Sequence, residues 1–226
     1  MLIESRFLLG LDNSLLIASE SYQCQLQAEV LAALDALSAR AAAAGFSVRV
    51  ASGYRNFARQ LSIWNNKAEG RRPVLDDRGE PLDMERLSER EKVFSILRWS
   101  ALPGASRHHW GTDLDIYDAS RMPACYEVKL TQAETCGDGV FAAFHRWLDT
   151  QLQAPDAVFY RPYAHDRGGV APEPWHLSYA PVAQQYARAL TLDVLYEQLL
   201  HTDLALKETV LAHLPEIYSR FVRVDH

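Results

Sequence analysis

Three cysteines in 226 residues, Cys24, Cys125 and Cys136, are too few and too unevenly spaced to staple a small secreted fold, and no C-x-x-C pair supplies a structural zinc or thiol-redox site. Long apolar runs are missing too: nowhere does the chain approach the roughly 18 uninterrupted apolar residues of a membrane span. No basic n-region precedes the stretch Phe7-Leu8-Leu9-Gly10-Leu11, which is short for an h-region and stops at Asp12, so no secretory signal is expected and the cytoplasm is the expected compartment. Positive charge is in deficit. Twenty-three basic against 29 acidic side chains give a net charge of −6, a sign that argues against nucleic acid or an anionic membrane as partner while leaving room for a local basic pocket. No internal repeat exists, and no low-complexity tract beyond residues 41–44.

What is present is ordinary core material: 48% apolar and 10% aromatic residues, enough for one sizeable interior. Apolar periodicity of helix and strand alternates along the chain, so the expected class is α+β in a single domain over 1–226. Two short strands are expected at 7–11 and 15–18 around the turn Asp12-Asn13-Ser14. Leu26, Val30, Leu34, Leu37 and Ala41 keep helical spacing over 22–44, and Gly45 supplies the stop. Residues 46–50 alternate as a half-buried strand does, and a second helix runs from Asn56 to Gly70 with Phe57, Leu61 and Trp64 on one face. Residues 71–87 are polar and turn-rich and read as a long surface loop, a candidate lid. Ser88 and Glu91 form a capping-box pattern that opens a helix ended by Pro103-Gly104. A strand at 112–117, a helix through Phe141, Phe144, Leu148 and Leu152, and strands near 158–160 and 175–179 follow. The tail from Pro181 is helical, with Tyr186, Leu190, Val194 and Leu195 on one side.

Histidine carries the chemical information, being both the commonest zinc ligand and an acid or base near neutral pH. Of the eight in the chain, His145, His165, His201, His213 and His226 fall on polar helix faces, in loops or at the terminus and read as solvated. His108 and His109 stand instead in Ser106-Arg107-His108-His109-Trp110-Gly111-Thr112-Asp113-Leu114-Asp115. With Leu114 and Ile116 facing a core, Asp113 and Asp115 point the other way, where a carboxylate can meet a histidine returning from the preceding loop. Alone, the pair would read as the solvent face of an edge strand. The second cluster, Glu173-Pro174-Trp175-His176, shifts the balance. Two histidines and an aspartate make a three-ligand set that leaves zinc an open position for water, and a nearby glutamate is a natural base for that water.

Ser106-x-His108-x-x-Gly111-x-x-x-Asp115 followed by Glu173-x-Trp175-His176 resembles the S-x-H-x-x-G-x-x-x-D and E-x-W-H signature of the D-alanyl-D-alanine carboxypeptidase and dipeptidase family. These are LAS-type zinc metallopeptidases, which include enzymes of the vancomycin-resistance carboxypeptidase kind. The segment Ser52-Gly53-Tyr54-Arg55 with Gln60 also resembles that family's S-G-Y-R…Q block, so the likeness spans about 50–180. The resemblance implies a small antiparallel sheet bearing the zinc site and packed with helices, with a zinc-peptidase core at about 46–180 and a helical extension at about 181–226. It implies Zn2+ as cofactor, held by His108, Asp115 and His176, and a peptidoglycan-derived peptide as substrate. Glu173 would act as general base, Arg55 would stabilise the oxyanion or hold a substrate carboxylate, and Ser106 would contact the substrate. Gln60 would line the pocket or brace Arg55, and Trp175 would pack beside His176.

Asp113 departs from the pattern of many relatives, which carry a small apolar residue there. Two roles stay open, orienting a ligand histidine or sitting at the pocket rim. His109 is expected to turn away from the metal. Removal of a terminal D-alanine with D,D- or L,D-specificity, cleavage of a free D-Ala-D-Ala dipeptide and cutting of a cross-link all remain compatible with these residues. A serine hydrolase fails on His108 standing where the nucleophile elbow needs glycine, and H-E-x-x-H is absent. A non-catalytic zinc-bearing domain that binds peptide or protein is the rival from another class. It has no use for Glu173 and Arg55.

Overall fold

The computed structural model describes residues 3–223. In chain order it contains α1 (Ser5–Leu8), β1 (Ile17–Ser19), β2 (Cys24–Leu26), α2 (Ala28–Ala43), β3 (Val48–Ser52), α3 (Phe57–Ala68), α4 (Glu89–Leu97), β4 (Asp113–Asp118), α5 (Gln132–Thr135), α6 (Ala142–Leu152), β5 (Phe159–Tyr160) and β6 (His176–Tyr179). Four α-helices follow, α7 (Ala180–Ala189), α8 (Leu192–Leu200), α9 (Lys207–Ala212) and α10 (Leu214–Ile217), and a π-helical turn at Tyr218–Val222 ends the described residues' helical run. A hairpin pairs β1 with β2, and a four-stranded antiparallel sheet runs β3-β4-β6-β5. The class is α+β, as expected.

The sheet has two unlike faces because strand side chains alternate. Leu114 and Ile116 of β4 and Leu177 of β6 are buried in one core with Val30, Leu34 and Leu37 of α2 and Phe144 and Leu148 of α6. Asp113 and Asp115 of β4 and His176 and Ser178 of β6 take the opposite face. Their register pairs Asp115 with His176 and Asp113 with Ser178. β4 lies between β3 and β6 rather than at an edge, so Asp113 and Asp115 are buried and not a solvated stripe. A second core joins Leu8 and Leu9, Trp64 of α3, Ile96 and Leu97 of α4, and Leu195, Leu199, Val210 and Leu214 of the C-terminal helices. The helices beyond residue 180 therefore share an interior with α1, α3 and α4.

Three expectations are corrected. Residues 7–11 are not a strand: Ser5–Leu8 is helical and Leu8 and Leu9 are buried in the second core, since a short apolar run carries no periodicity of its own and its surroundings decide. The strand expected at 15–18 begins at Ile17 and pairs with Cys24–Leu26. That pairing removes 22–27 from the expected helix, which starts at Ala28. His145 is the third correction. It is buried on α6, with Nδ1 accepting from Arg161 Nη2 at 3.3 Å and Nε2 without a partner. Positions 141, 145, 148 and 152 form one helical stripe, so the spacing that placed Phe141 and Leu148 inward carries His145 with them. His165 and His201 are exposed, His213 is half-buried against Phe94, and His226 lies outside the described residues.

Burial lowers the His145 pKa from 6.5 to about 4, with the Arg161 charge acting in the same direction. A histidine kept neutral in the fold stabilises fully above the unfolded value, and that contribution is lost as pH falls from about 6.5 toward 4. The expected loss is roughly 3 kcal/mol. Denaturant midpoints at pH 7 and pH 5 should differ less in His145→Gln than in the parent, and an unchanged difference would contradict the assignment. His109, lowered by burial to about 3, contributes with the same sign.

Local sequence explains the elements that carry the site. Asn56 caps α3 by accepting from Arg59 N, and Ser88 with Glu91 forms the expected capping box of α4. Gly111 ends the 3₁₀ turn Arg107–Trp110 at φ 64°, and a Cβ there would lie 2.4 Å from Leu16 Cδ2. Any side chain there would adopt a left-handed backbone and have to displace the end of Leu16, which favours glycine where the chain reverses into β4. The 71–87 segment is a surface loop, as expected, and it is tied down: Leu75 bridges to Pro81, Val74 is fully buried, and Asp77 is held by Arg98 Nε at 2.8 Å.

Candidate active site

The 3₁₀ turn brings His108 over β4 with its ring fixed from behind. His108 Nδ1 lies 2.9 Å from Gly53 O, an atom that only accepts, so Nδ1 carries the hydrogen and Nε2 keeps its lone pair. Nε2 faces Asp115 Oδ2 at 3.3 Å. His176 is fixed in the opposite sense. Its Nε2 donates to Asp113 Oδ1 at 2.9 Å, which leaves Nδ1 to face Asp115 Oδ1 at 3.3 Å and Glu173 Oε2 at 3.2 Å. Asp113 thus takes the first of its two open roles, orienting the His176 ring.

One ligand atom each from His108, Asp115 and His176 lies within 4.8 Å of the others, and all three residues are buried. Asp115 Oδ1 is buried with no hydrogen-bond partner. A carboxylate with one oxygen orphaned beside His176 Nδ1 and the other facing His108 Nε2 is a donor set without its acceptor, and it fits a divalent cation such as zinc. Burial opposes the charge of Asp115, but His108 and His176 hold its carboxyl well below the usual range. Burial likewise disfavours a charged His176, yet Asp113, Asp115 and Glu173 raise its pKa well above normal. A proton and a metal therefore compete for the same Nδ1.

Behind the site lies a buried ion pair that sequence reasoning missed. Arg107 donates from Nε to Asp113 Oδ1 at 2.8 Å and from Nη2 to Ser178 Oγ at 2.7 Å and Tyr160 OH at 2.8 Å. Asp113 also accepts from Thr112 Oγ1 at 2.6 Å. Burial works against ionisation of Asp113, and Arg107 and His176 overcome it. In the motif, Arg107 occupies a spacer position, and nothing in local periodicity marks it as buried.

Arg55 follows β3 and is held by two side chains, Gln60 Oε1 accepting from Nη1 at 2.9 Å and Ser52 Oγ from Nη2 at 3.0 Å. Gln60 is fully buried, and its amide also donates to Ala101 O at 2.7 Å, the contacts of a brace. His109 Nδ1 donates to Arg55 O, and His109 Nε2 accepts from Gly104 N at 3.0 Å. His109 thus points away from the His108, Asp115 and His176 cluster and supports the backbone that carries Arg55. Trp175 is buried and lines the same cleft as His176.

These residues open onto a cleft of about 800 Å³. Arg55, Ser106, His108, Asp115, Glu173 and His176 all line it, and the 71–87 loop and residues 129–133 frame it. Tyr163, also unanticipated, packs its ring edge-on to His176 with centroids 5.1 Å apart, and burial raises its pKa to about 12.

The sequence profile of the VanY D-alanyl-D-alanine carboxypeptidase family matches residues 23–182. The chain belongs to this family. Among solved structures, VanYB in complex with D-alanine-D-alanine is similar with TM-score 0.52 and 23% identity over 83% of this chain and 88% of that one. A VanY D,D-pentapeptidase variant in complex with Zn(II) gives TM-score 0.50 and 23% identity over 86% and 88%. The LD-carboxypeptidase LdcB gives 0.51 and 22% over 86% and 76%. These likenesses establish the VanY fold. Two uncharacterised Haemophilus influenzae proteins are related. One is 47% identical over 77 residues, which are 34% of this chain and 53% of that protein, so the match spans about half of it. The other is 28% identical over 123 residues, 54% of this chain and 92% of that protein. Membership of the VanY family relates the chain to D-alanyl-D-alanine carboxypeptidases. Among the described residues no helix is long and apolar enough to cross a membrane.

Proposed function

We propose that the protein is a zinc-dependent carboxypeptidase that hydrolyses the peptide bond to the terminal D-alanine of peptidoglycan-type peptides. The observation that carries this reading is Glu173 Oε2 placed 3.2 Å from His176 Nδ1, beside a three-ligand set and outside it. Zinc held by His108, Asp115 and His176 would supply a Lewis acid and acidify a water at neutral pH. Glu173 takes the proton of the attacking water and returns it to the leaving amine nitrogen, as a carboxylate within hydrogen-bond reach can. Arg55, fixed by Gln60 and Ser52, directs a permanent charge at the oxyanion that develops on the carbonyl. Ser106 contacts the substrate through its hydroxyl. A cleft of about 800 Å³ is in the size class that encloses a ligand larger than a dipeptide, which favours a longer peptide over free D-Ala-D-Ala. The neighbour VanYB was solved with D-alanine-D-alanine bound, which supports the choice of substrate class.

The test is reversal by metal. The protein should release free D-alanine from a synthetic peptide ending in D-Ala-D-Ala or in L-residue-D-Ala, lose that activity on dialysis against a chelator, and regain it with added Zn2+. Peptide that binds to the zinc-loaded protein and is never cut would favour a non-catalytic zinc-bearing domain.

A further inference from the structure

The cleft holds a second cation that this chemistry does not use. Lys67, in the last turn of α3, lines it together with Arg55. Its ammonium donates one hydrogen bond, to Ser100 Oγ at 2.8 Å, and has no carboxylate within ion-pair distance among the described residues. Trp99, adjacent to Ser100, lines the same cleft, and its Nε1–H is buried with no acceptor. Buried donors are satisfied in the great majority of cases. Here the Trp99 Nε1–H lacks an acceptor and the Lys67 ammonium has a single one, and both deficits have the sign that an anion would fill. Burial lowers Lys67 from its usual value to about 8, so it still carries its charge at neutral pH. Arg78 and Lys129 also line this cleft, although the chain as a whole carries a net charge of −6. Asp77, Asp115 and Glu173 line it too, but the basic side chains outnumber them, an excess that favours an anionic ligand.

We propose that Lys67, with Ser100 and Trp99, forms a subsite that binds a carboxylate of the substrate, separate from the reaction centre that Arg55 serves. The proposal rests on the peptidase reading above. Its ligand is either the terminal carboxylate of the leaving residue or a side-chain carboxylate on the acyl side of the scissile bond. Lys67 is a specificity residue: it acts on binding and not on the bond-breaking step.

The probe is a synthetic peptide that ends in D-Ala-D-Ala and carries one side-chain carboxylate, with two analogues in which one or the other carboxylate is an amide. Equilibrium binding is measured on the zinc-loaded Glu173→Ala protein with and without Lys67→Met, and steady-state kinetics on Lys67→Met and Lys67→Arg with Glu173 intact. Melting temperatures verify that the variants fold. Lys67→Met should weaken binding of the parent peptide by at least about 30-fold and raise KM with kcat nearly constant, and Lys67→Arg should restore most of the loss. The loss should vanish for one analogue. Disappearance with the terminal amide identifies the leaving residue, and disappearance with the side-chain amide identifies the acyl side. Equal weakening for all three peptides, no weakening, or a fall in kcat alone overturns the proposal. If the peptide binds in a Lys67-dependent way but is never cut, the subsite stands and the peptidase reading falls. Failure of the wild-type protein to bind any of the three overturns both.

Discussion

Glu173→Ala is expected to keep zinc bound while turnover of a D-Ala-terminated peptide falls by at least about 10²-fold. The two readouts separate because Glu173 stands beside the ligand set without belonging to it. Its backbone is pinned independently of its side chain, N donating to Tyr163 O at 2.9 Å and O accepting from His176 N at 3.1 Å, so truncation leaves the ligand histidine in register on β6. Glu173→Gln keeps the shape and loses the base. It should fall nearly as far as the alanine variant if proton transfer is the role, and stay near wild type if the carboxylate merely fills space. Metal content by atomic spectroscopy and D-alanine release measured on the same samples decide the matter. Turnover near the wild-type rate in both variants would remove Glu173 from the chemistry.

Asp113→Ala is expected to cost about 3–5 kcal/mol of stability, the range for leaving one partner of a buried ion pair uncompensated. The carboxylate accepts from Arg107, His176, Thr112 and Ser178, and its loss strands the Arg107 guanidinium, whose surroundings are buried. The pH dependence has a definite sign. The folded pKa of Asp113 is depressed, so its stabilisation is present above the unfolded value near 3.8 and is lost as pH falls below it. Zinc affinity should drop as well, by about 10- to 100-fold, because His176 loses the acceptor that fixes its tautomer and ring. Asp113→Ala combined with Arg107→Met distinguishes the two effects: removing the stranded charge should restore much of the stability and none of the affinity. Denaturant midpoints and competition titration with a chromophoric chelator measure them separately. Full stability in the single variant would contradict the role assigned to the pair.

The parts of the site that depend on strand alternation and motif spacing were legible in the sequence. Leu114 and Ile116 facing a core forces Asp113 and Asp115 to one side, and the blocks around Arg55, His108 and His176 converge on one cleft. What escaped depends on contacts between distant segments. Arg107 is buried because Ser178 and Tyr160, about 70 and 50 residues later, meet it across the sheet. Lys67 sits among polar neighbours at the end of α3, and its burial comes from residues 71–87 and the segment around Ser100. Residues 7–11 were misjudged because four or five apolar residues suit a strand or a helical turn equally well, and the C-terminal helices that cover Leu8 and Leu9 decide between them. His145 was misjudged for a different reason: its polarity outweighed the helical spacing that already placed it inward.

The most direct test of the account is mass-spectrometric analysis of a peptide ending in L-Lys-D-Ala-D-Ala after incubation with the zinc-loaded protein, beside the same protein with His108 and His176 both replaced by alanine. The account predicts loss of one terminal D-alanine with the rest of the peptide intact, and no change with the double variant, which should bind no zinc. An intact peptide in the presence of zinc-loaded wild-type protein, or equal cleavage by the double variant, would contradict it.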